Sequence, residues 1–181
     1  MKNLIILIGT FLCLNINAQN LKVMTFNIRL SLESDKENSW VKRKDDALKL
    51  MNYYHPDVMG VQEAVPQQMA DIKTGLKNYD FVGVARDDGA NKGEYSAIFY
   101  NTEKLQVLQS GTFWLSETPD QPSKGWDAAY NRVCTYALFK TKNRFFSECM
   151  EKQSGPETVD CKRTAAGGKN RIHPAVWRAK L

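Results

Sequence analysis

Apolar residues in the first 140 positions fall mainly into short runs of strand length, separated by polar loops. Residues 21–27 and 57–63 are two such runs, rich in β-branched or large side chains, and each ends in a polar residue. The segment between them has the length of a helix, so the pattern predicts a β-α-β unit. Because ligands gather at the carboxyl ends of strands in such units, we expect Asn27 and Glu63 to lie side by side.

The remaining pattern predicts further elements in order. A helix is expected over residues 40–54, after Ser39, which can cap it, and before Pro56. Its apolar positions fall mostly on one face and are Val41, Ala47, Leu48, Leu50, Met51 and Tyr54. A second helix should start at Pro66, and strands are predicted at residues 80–84, 95–100, 105–115 (with a bulge at its Ser-Gly step) and 132–140. The last of these strands is apolar on both faces, which indicates an interior position.

Composition and charge indicate one globular domain without a pronounced charge. The chain has 181 residues, of which 43% are hydrophobic and 10% aromatic. The formal net charge is +5, but residues 19–143 hold 16 basic and 16 acidic side chains. The surplus lies at the two ends, so the pI of about 9.0 is poor evidence for nucleic-acid binding.

Residues 1–18 have the pattern of a signal peptide, with Lys2 at the start, an apolar core over residues 4–16 and Ala18 near the end. The alternative is a buried first strand or helix. We expect export to a periplasmic or extracellular location. The apolar run is too short to cross a bilayer comfortably, so no transmembrane segment is expected in the mature chain.

The four cysteines do not have the spacing of a metal site. Cys13 would be removed with the signal peptide, and Cys134 lies in an apolar strand, where it is expected to be a small core residue. A disulfide between Cys149 and Cys161 is compatible with an oxidising compartment, although nothing in the sequence requires it.

Asn27 and Glu63 supply the oxygen atoms that hard divalent cations prefer. A carboxylate and an amide carbonyl at one edge of a sheet are suited to Mg²⁺. Each residue alone has a simpler explanation, since Asn27 could end a strand in a turn and Glu63 could be a surface carboxylate. Together, and with the Gln-Glu sequence after an apolar strand, they favour a site.

Several segments resemble a known family. Residues 21–29, LKVMTFNIR, and 60–64, GVQEA, resemble the opening motifs of the endonuclease/exonuclease/phosphatase superfamily, which includes deoxyribonuclease I. A secreted bacterial branch of it is similar at residues 93–100, 111–119 and 124–129 and at Arg132. The resemblance covers residues 21–140 and implies an α/β fold, here an incomplete four-layer α/β/β/α sandwich. It also implies hydrolysis of phosphoester bonds with Mg²⁺ or Mn²⁺.

The resemblance also assigns roles to five residues. Glu63 would be the metal-binding carboxylate, and Asn27 would help to hold the metal or the attacking water. Arg29 and Arg132 would hold phosphate oxygens, and Tyr95 is a further candidate for substrate contact. The alternatives are that the two arginines are ordinary surface ion-pair residues and that Tyr95 is a packing residue.

The family's later motifs, of the types Asn-x-His-x-Asp/Asn, Gly-Asp-Phe-Asn and Ser-Asp-His, do not occur in this sequence. From about Arg144 neither a helical nor a strand period is sustained. We therefore expect a partial family domain over residues 19–143 and an atypical tail over residues 144–181, for which a shifted or shortened reading frame is our hypothesis. The family's second sheet and outer helices would then be largely missing.

These observations leave three hypotheses for function. The first is an exported metal-dependent phosphoester hydrolase that is weak or inactive as written. The second is a non-catalytic module that binds a phosphate ligand, and the third is a degenerate product without a stable fold. The substrate stays open among nucleic acid, phospholipid, phosphorylated sugar and nucleotide, because specificity on such folds is set by loops.

Overall fold

The computed structural model describes residues 21–141 and the backbone of residues 145–151. It contains seven strands, two α-helices and one 3₁₀ helix within these residues. In chain order they are β1 (Val23–Asn27), the 3₁₀ helix Glu33–Asn38, α1 (Trp40–Tyr54), β2 (Val58–Ala64), α2 (Pro66–Gly75), β3 (Tyr79–Val82), β4 (Tyr95–Asn101), β5 (Gln106–Trp114), β6 (Val133–Lys140) and β7 (Phe145–Glu151).

The first sheet has the strand order β1-β2-β4-β3. β1 and β2 run parallel, and the other neighbours pair antiparallel. α1 forms the crossover between the two parallel strands, which confirms the predicted β-α-β unit. The side chains of β2 and β4 alternate between two buried surroundings. Met59, Val61 and Phe99 belong to one core cluster with Met51 of α1 and Ile72 of α2.

The opposite face of the first sheet packs against a second sheet. Val58 and Ile98 point to that side and form a second core cluster with Ala137 and Phe139 of β6. The molecule therefore has a helical layer, a sheet and a second sheet. The mixed α/β fold is confirmed. The fourth, helical layer that the resemblance implies is not formed by residues 21–141 or 145–151.

The second sheet has the order β5-β6-β7, so β6 is its central strand, as its two apolar faces predict. Cys134 is fully buried in β6, as expected of a core residue. The bulge in β5 lies at Leu108, between the paired residues Val107 and Gln109, and not at the Ser-Gly step. The placement at Ser110 and Gly111 was wrong because both residues continue the ladder with β6 in register.

Strand β7 is a further difference from the sequence analysis. It lies inside the segment expected to be an irregular tail, and it pairs antiparallel with β6 over its whole length. The expectation of no strand was therefore wrong for Phe145–Glu151. The sequence of these seven residues, FFSECME, shows no regular alternation of apolar and polar residues, so the pattern did not predict a strand. The neighbouring strand supplies the hydrogen bonds that the pattern does not reveal.

Helix α1 begins and ends where the sequence predicts, but its buried face is different. The buried side chains are Trp40 and Met51, with Ala47 and Leu48 packed beside them. Three of the expected core positions are instead exposed, namely Val41, Leu50 and Tyr54. Residues 40, 47, 48 and 51 form one helical stripe against the sheet, which leaves the other three beyond its edge. Ser39 occupies the N-cap position, although its side chain makes no capping hydrogen bond.

Neither helix in the described part of the chain combines the length and the apolar character needed to cross a bilayer. The predicted signal peptide, the Cys149–Cys161 disulfide and the tail beyond residue 151 lie outside the residues whose side chains are described.

Candidate functional site

The parallel pairing of β1 with β2 brings Asn27 and Glu63 together. Asn27 is in register with Gln62, one residue before Glu63. The ladder extends one step further, because the Ile28 N–H donates to the Gln62 carbonyl at 3.1 Å. Both predicted metal ligands therefore lie at the carboxyl edge of the same strand pair.

Glu63 has a backbone conformation that its sequence does not reveal. The register between β2 and β4 shifts between Gln62 and Ala64, so Glu63 is the extra residue of a β-bulge. Its φ angle is +64°, in the left-handed region that side chains other than glycine rarely adopt. A bulge takes its extra residue out of the strand's alternation and re-aims the side chain. Such strained positions are concentrated at functional sites.

Arg29 occupies a second left-handed position, with φ of +61°, in the loop that follows β1. Two side chains from the helices hold this loop. The buried Gln68 donates to the Arg29 carbonyl at 3.0 Å, and Arg43 donates to the Ile28 carbonyl at 2.7 Å. The Leu30 N–H donates to Glu63 Oε2 at 3.3 Å and the Arg29 N–H donates to Asn27 Oδ1 at 3.0 Å, so the loop also fixes both candidate ligands.

Neither Gln68 nor Arg43 was predicted from the sequence to belong to the site. Gln68 carried a usable signal, because it is the third residue of α2 and its side chain accepts a hydrogen bond from the Val65 N–H at 3.1 Å. Arg43 is half-buried on α1, and nothing in the charged sequence around it separates it from its neighbours.

The Arg29 side chain is held in a fork-to-carboxylate pair with Asp35 of the 3₁₀ helix. Nε and Nη2 donate to Oδ2 and Oδ1, both at 2.8 Å. The hydrogen bond and charge of Asp35 raise the pKa of Arg29, with a smaller contribution from Glu63. In return the Arg29 hydrogen bond lowers the pKa of Asp35. A positive group thus remains fixed beside Asn27 and Glu63.

Exchanging Arg29 for methionine is expected to raise the pKa of Asp35 towards that of a free aspartate, because the bond that lowers it is lost. Since the folded-state pKa of Asp35 is lowered, the pair stabilises the fold above the ordinary aspartate pKa of about 4, and this contribution disappears as pH falls below it. Carboxyl ¹³C NMR across an acid titration measures the shift. An unchanged Asp35 titration in the variant would contradict the pairing.

Arg132 and Tyr95 form a second group, around a small cavity between the two sheets. The cavity has a volume of about 10 Å³, and its lining also includes Arg86, Glu94, Ser96, Asn131 and Val133. Strand pairing links it to the first group, because Ser96 is opposite Gln62 and Tyr95 is opposite Ala64. The residues on either side of Glu63 are therefore direct neighbours of the cavity wall.

Tyr95 has the geometry of a packing residue. It is buried, and its hydroxyl lies 3.0 Å from the Ala90 carbonyl oxygen and 3.1 Å from Asn91 Oδ1. Burial raises its pKa, with a further contribution from the charge of Asp88. Asp88 itself organises the same loop, because its Oδ1 accepts the N–H groups of Ala90 and Lys92 at 2.8 and 2.9 Å. The predicted contact of Tyr95 with substrate stays a prediction.

Arg86 is a cavity residue that the sequence analysis missed. It is 8% exposed, and its Nη2 donates to Glu94 at 2.9 Å. Its carbonyl accepts the Trp114 indole N–H at 2.6 Å and the Asn131 amide at 3.2 Å. Its backbone therefore connects the loop before β4 with the end of β5 and the start of β6. An arginine in a polar loop is normally solvated, so only the fold reveals its burial.

The oxygen atoms of Asn27 and Glu63 at the strand edge fit Mg²⁺ better than a cation that must be coordinated by protein atoms alone. Mg²⁺ is usually held by one or two carboxylates with several waters and substrate phosphates. Glu63 offers one carboxylate and Asn27 one amide oxygen. Among residues 21–141 no group of three or more His, Cys, Asp or Glu side chains is placed to hold a metal ion. Water and substrate oxygens would therefore have to complete the coordination.

Comparisons with known proteins bear on the fold and the family of the chain. An endonuclease/exonuclease/phosphatase from Bacteroides vulgatus superposes with a TM-score of 0.71 at 40% identity, over 72% of this chain and 51% of that one. A mannosyl-6-phosphatase from Bacteroides thetaiotaomicron gives 0.68 at 43% identity, over 72% and 49%. An uncharacterized protein, L388, of Acanthamoeba polyphaga mimivirus is 29% identical over 132 residues, 68% of this chain and 49% of that protein.

The chain thus spans about half the length of these relatives. The sequence model of the Endonuclease/Exonuclease/phosphatase family matches residues 24–152, which includes every candidate site residue and also strand β7. That match covers more than half of the chain. The protein belongs to the Endonuclease/Exonuclease/phosphatase family.

Proposed function

We propose that this protein is a metal-dependent phosphoester hydrolase whose centre lies at the carboxyl edge of β1 and β2. The observation that supports this most strongly is the parallel register that puts Asn27 beside Gln62 and Glu63, in a chain that belongs to a family of nucleases and phosphatases. The mannosyl-6-phosphatase relative makes a phosphorylated sugar the first substrate to test.

The roles of the residues follow from their chemistry. Glu63 and Asn27 would hold Mg²⁺ or Mn²⁺ through their oxygens. The bound cation would neutralise charge on the phosphate oxygens and lower the pKa of a coordinated water. Arg29 and Arg132 would hold phosphate oxygens, because a guanidinium fork matches two oxygens at once. Asp35 already occupies Nε and Nη2 of Arg29, so phosphate would be reached by the remaining N–H groups or after exchange of that pair.

We propose that turnover by this chain is weak. The sequence lacks the family's later Asp and His motifs, which would supply a general base and a further positive group at the phosphate. Of the two histidines, His55 lies in the cap of α1, at the opposite end of the crossover helix from Asn27. His173 lies outside the described residues.

A second candidate function is a non-catalytic module that binds a phosphate ligand. The lack of the family's later Asp and His motifs in this sequence favours it, because those motifs would supply the general base. Both candidate functions use Arg29 and Arg132 to hold phosphate oxygens, and they differ in whether the phosphoester bond is hydrolysed.

An activity assay of the purified full chain separates the hydrolase from the binding module. The substrates are a phosphorylated sugar, 4-nitrophenyl phosphate and bis(4-nitrophenyl) phosphate. The hydrolase predicts release of phosphate or nitrophenol that depends on Mg²⁺ or Mn²⁺ and stops with EDTA. The binding module predicts phosphate binding without product at any metal concentration. A metal-independent rate, or a rate equal to that of buffer with metal, would contradict the proposed hydrolase.

We also propose that the protein is exported, on the pattern of residues 1–18. Fractionation of cells that express the full chain tests this, and recovery of a mature form beginning near Gln19 outside the cytoplasm is the expected result. Retention of the uncleaved chain in the cytoplasm would contradict it.

A further inference from the structure

The loop between β5 and β6 carries an exposed aromatic ring close to Arg132. Tyr130 is 62% exposed and lies two residues before Arg132. Tyrosine side chains are enriched at binding sites, because a ring supplies a large apolar contact area at a low cost in side-chain entropy. The Tyr130 ring is therefore a candidate for contact with a ligand.

The ring of Tyr130 is held in one orientation by a buried cation. Cζ of Arg86 lies 5.1 Å from the ring centroid. The Arg86 side chain is itself fixed, because the residue is 8% exposed and its Nη2 lies 2.9 Å from a carboxylate oxygen of Glu94. An aromatic side chain that is fixed before binding loses less conformational entropy when a ligand packs on it. The contact with Arg86 thus prepares the ring for a partner.

Two hydrogen bonds fix the segment that carries the ring. The side chain of Asn131, the residue after Tyr130, donates to the Arg86 carbonyl at 3.2 Å. The Leu115 N–H donates to the Arg132 carbonyl at 2.8 Å, which closes the base of the loop between β5 and β6. Tyr130 therefore has a defined position at the base of this loop, beside Arg132.

The position of Tyr130 fits the organic group of a phosphoester. Two residues of extended chain span at most about 7 Å, so the Cα atoms of Tyr130 and Arg132 lie no further apart than that. Arg132 lines the cavity whose wall includes Ser96, and Ser96 is opposite Gln62 of β2. A phosphoester whose phosphate lies between Glu63 and Arg132 would therefore hold its organic group near Tyr130.

The charges around the ring favour an uncharged organic group. The Arg86 guanidinium is offset by Glu94 and by Asp87, whose Oδ1 lies 3.6 Å from Nε. Residues 19–143 hold 16 basic and 16 acidic side chains, so this part of the chain lacks the positive surplus that attracts a nucleic-acid backbone. A sugar ring is uncharged, and it presents a face of C–H groups that packs on a flat aromatic side chain.

We propose that Tyr130 is a stacking platform for the sugar ring of a phosphorylated sugar and gives the protein a preference for cyclic over open-chain phosphate esters. The inference rests on the proposed function for the phosphate end of the ligand, and it assigns the residue that selects the other end. The face of the ring makes the contact, and the hydroxyl is not needed for it. Arg86 acts through the ring alone, as a positioning residue.

Calorimetric titration of the full chain in Mg²⁺, with phosphonates whose carbon in place of the ester oxygen prevents hydrolysis, tests the platform. The two probes are the phosphonate analogues of mannose 6-phosphate and of open-chain mannitol 6-phosphate, which carry the same charge. We expect the parent to bind the mannose analogue about fivefold more tightly, because an aromatic contact contributes about that factor beyond its buried area. Tyr130→Phe should keep this preference. Tyr130→Ala and Tyr130→Leu should bind both analogues equally, because each loses the flat face.

Tyr53→Ala is the matched control. Tyr53 is also an exposed tyrosine, at 80%, but it lies on α1 in contact with the ring of Tyr54. Tyr53→Ala should keep the preference of the parent chain. If Tyr130→Ala shows no cooperative thermal transition, the comparison of Tyr130→Leu with Tyr130→Phe decides.

Equal affinity of the folded parent for the two analogues, binding of neither, or an unchanged preference in Tyr130→Ala and Tyr130→Leu would overturn the platform. Tighter binding of the phosphonate analogue of adenosine 5′-monophosphate, lost in the same two variants, would also overturn it, because the ring would then stack on a base. Metal-dependent turnover of mannose 6-phosphate together with any of these results refutes the platform alone. A preference for the ring that depends on Tyr130, without turnover in Mg²⁺, refutes the hydrolase and leaves the platform standing.

Discussion

Metal-dependent hydrolysis should fall at least about 100-fold when Glu63 is replaced by glutamine, because residues that merely support metal ligands already contribute about 10- to 100-fold. Glutamine keeps the size of the side chain and one oxygen but removes the negative charge that would anchor the cation. Affinity for Mn²⁺, measured by paramagnetic resonance, should fall together with the rate. A loss of rate without a loss of metal affinity would assign Glu63 a role other than metal binding.

Glu117→Gln is the matched control, because it removes the same charge from an exposed loop position. It should leave both the rate and the Mn²⁺ affinity unchanged. The left-handed backbone at Glu63 adds a structural check, since Glu63→Gly would relax the φ of +64° while removing the carboxylate. We expect Glu63→Gly to be as inactive as Glu63→Gln, with a free energy of unfolding no lower than that of the parent chain. Full activity in either variant would refute the proposed metal centre.

Truncation of Phe99 to alanine should lower the free energy of unfolding by about 3–5 kcal/mol, the range found for large aromatic residues in cores. Phe99 is fully buried in β4, opposite Met59 of β2 and Phe81 of β3. Its ring centroid lies 5.2 Å from that of Phe81, so no neighbour can fill the space without moving. Such a loss is a large part of the total stability of a small domain.

Urea unfolding followed by circular dichroism measures this change. Tyr53→Ala is the control, because Tyr53 is also aromatic but is 80% exposed on α1, and its truncation should change stability by no more than about 0.5 kcal/mol. Equal losses in the two variants would show that Phe99 does not lie in a packed core. A sloping, non-cooperative transition in the parent chain would support the hypothesis of a degenerate product without a stable fold.

The predictions from sequence succeeded where one local pattern was sufficient. Strands β2, β4 and β6 are buried on both faces, so their apolar runs were unambiguous. The helix between β1 and β2 forced those two strands to run parallel, and parallel neighbours end at the same edge. The proximity of Asn27 and Glu63 follows from that connection.

The predictions were incomplete where contacts with residues distant in sequence determine the local structure. The exposure of Val41 and Leu50 depends on which stripe of α1 meets the sheet. β7 is a strand because β6 presents an edge to it, although its sequence shows no regular alternation of apolar and polar residues. The fourth layer of the family's sandwich is not formed by the described residues, and an incomplete sandwich is what the resemblance implied for this chain.

The order of elements, the β-α-β connection and the residue types at the strand edge were predictable from the sequence, because hydrophobic period and connection length are local properties. The packed fold, in contrast, sets the bulge that re-aims Glu63 and the pairing of Arg29 with Asp35. It also decided the burial of Arg86 beside Arg132, since that requires two loops 46 positions apart to meet between two sheets. Contacts of this kind depend on packing, which a one-dimensional pattern does not specify.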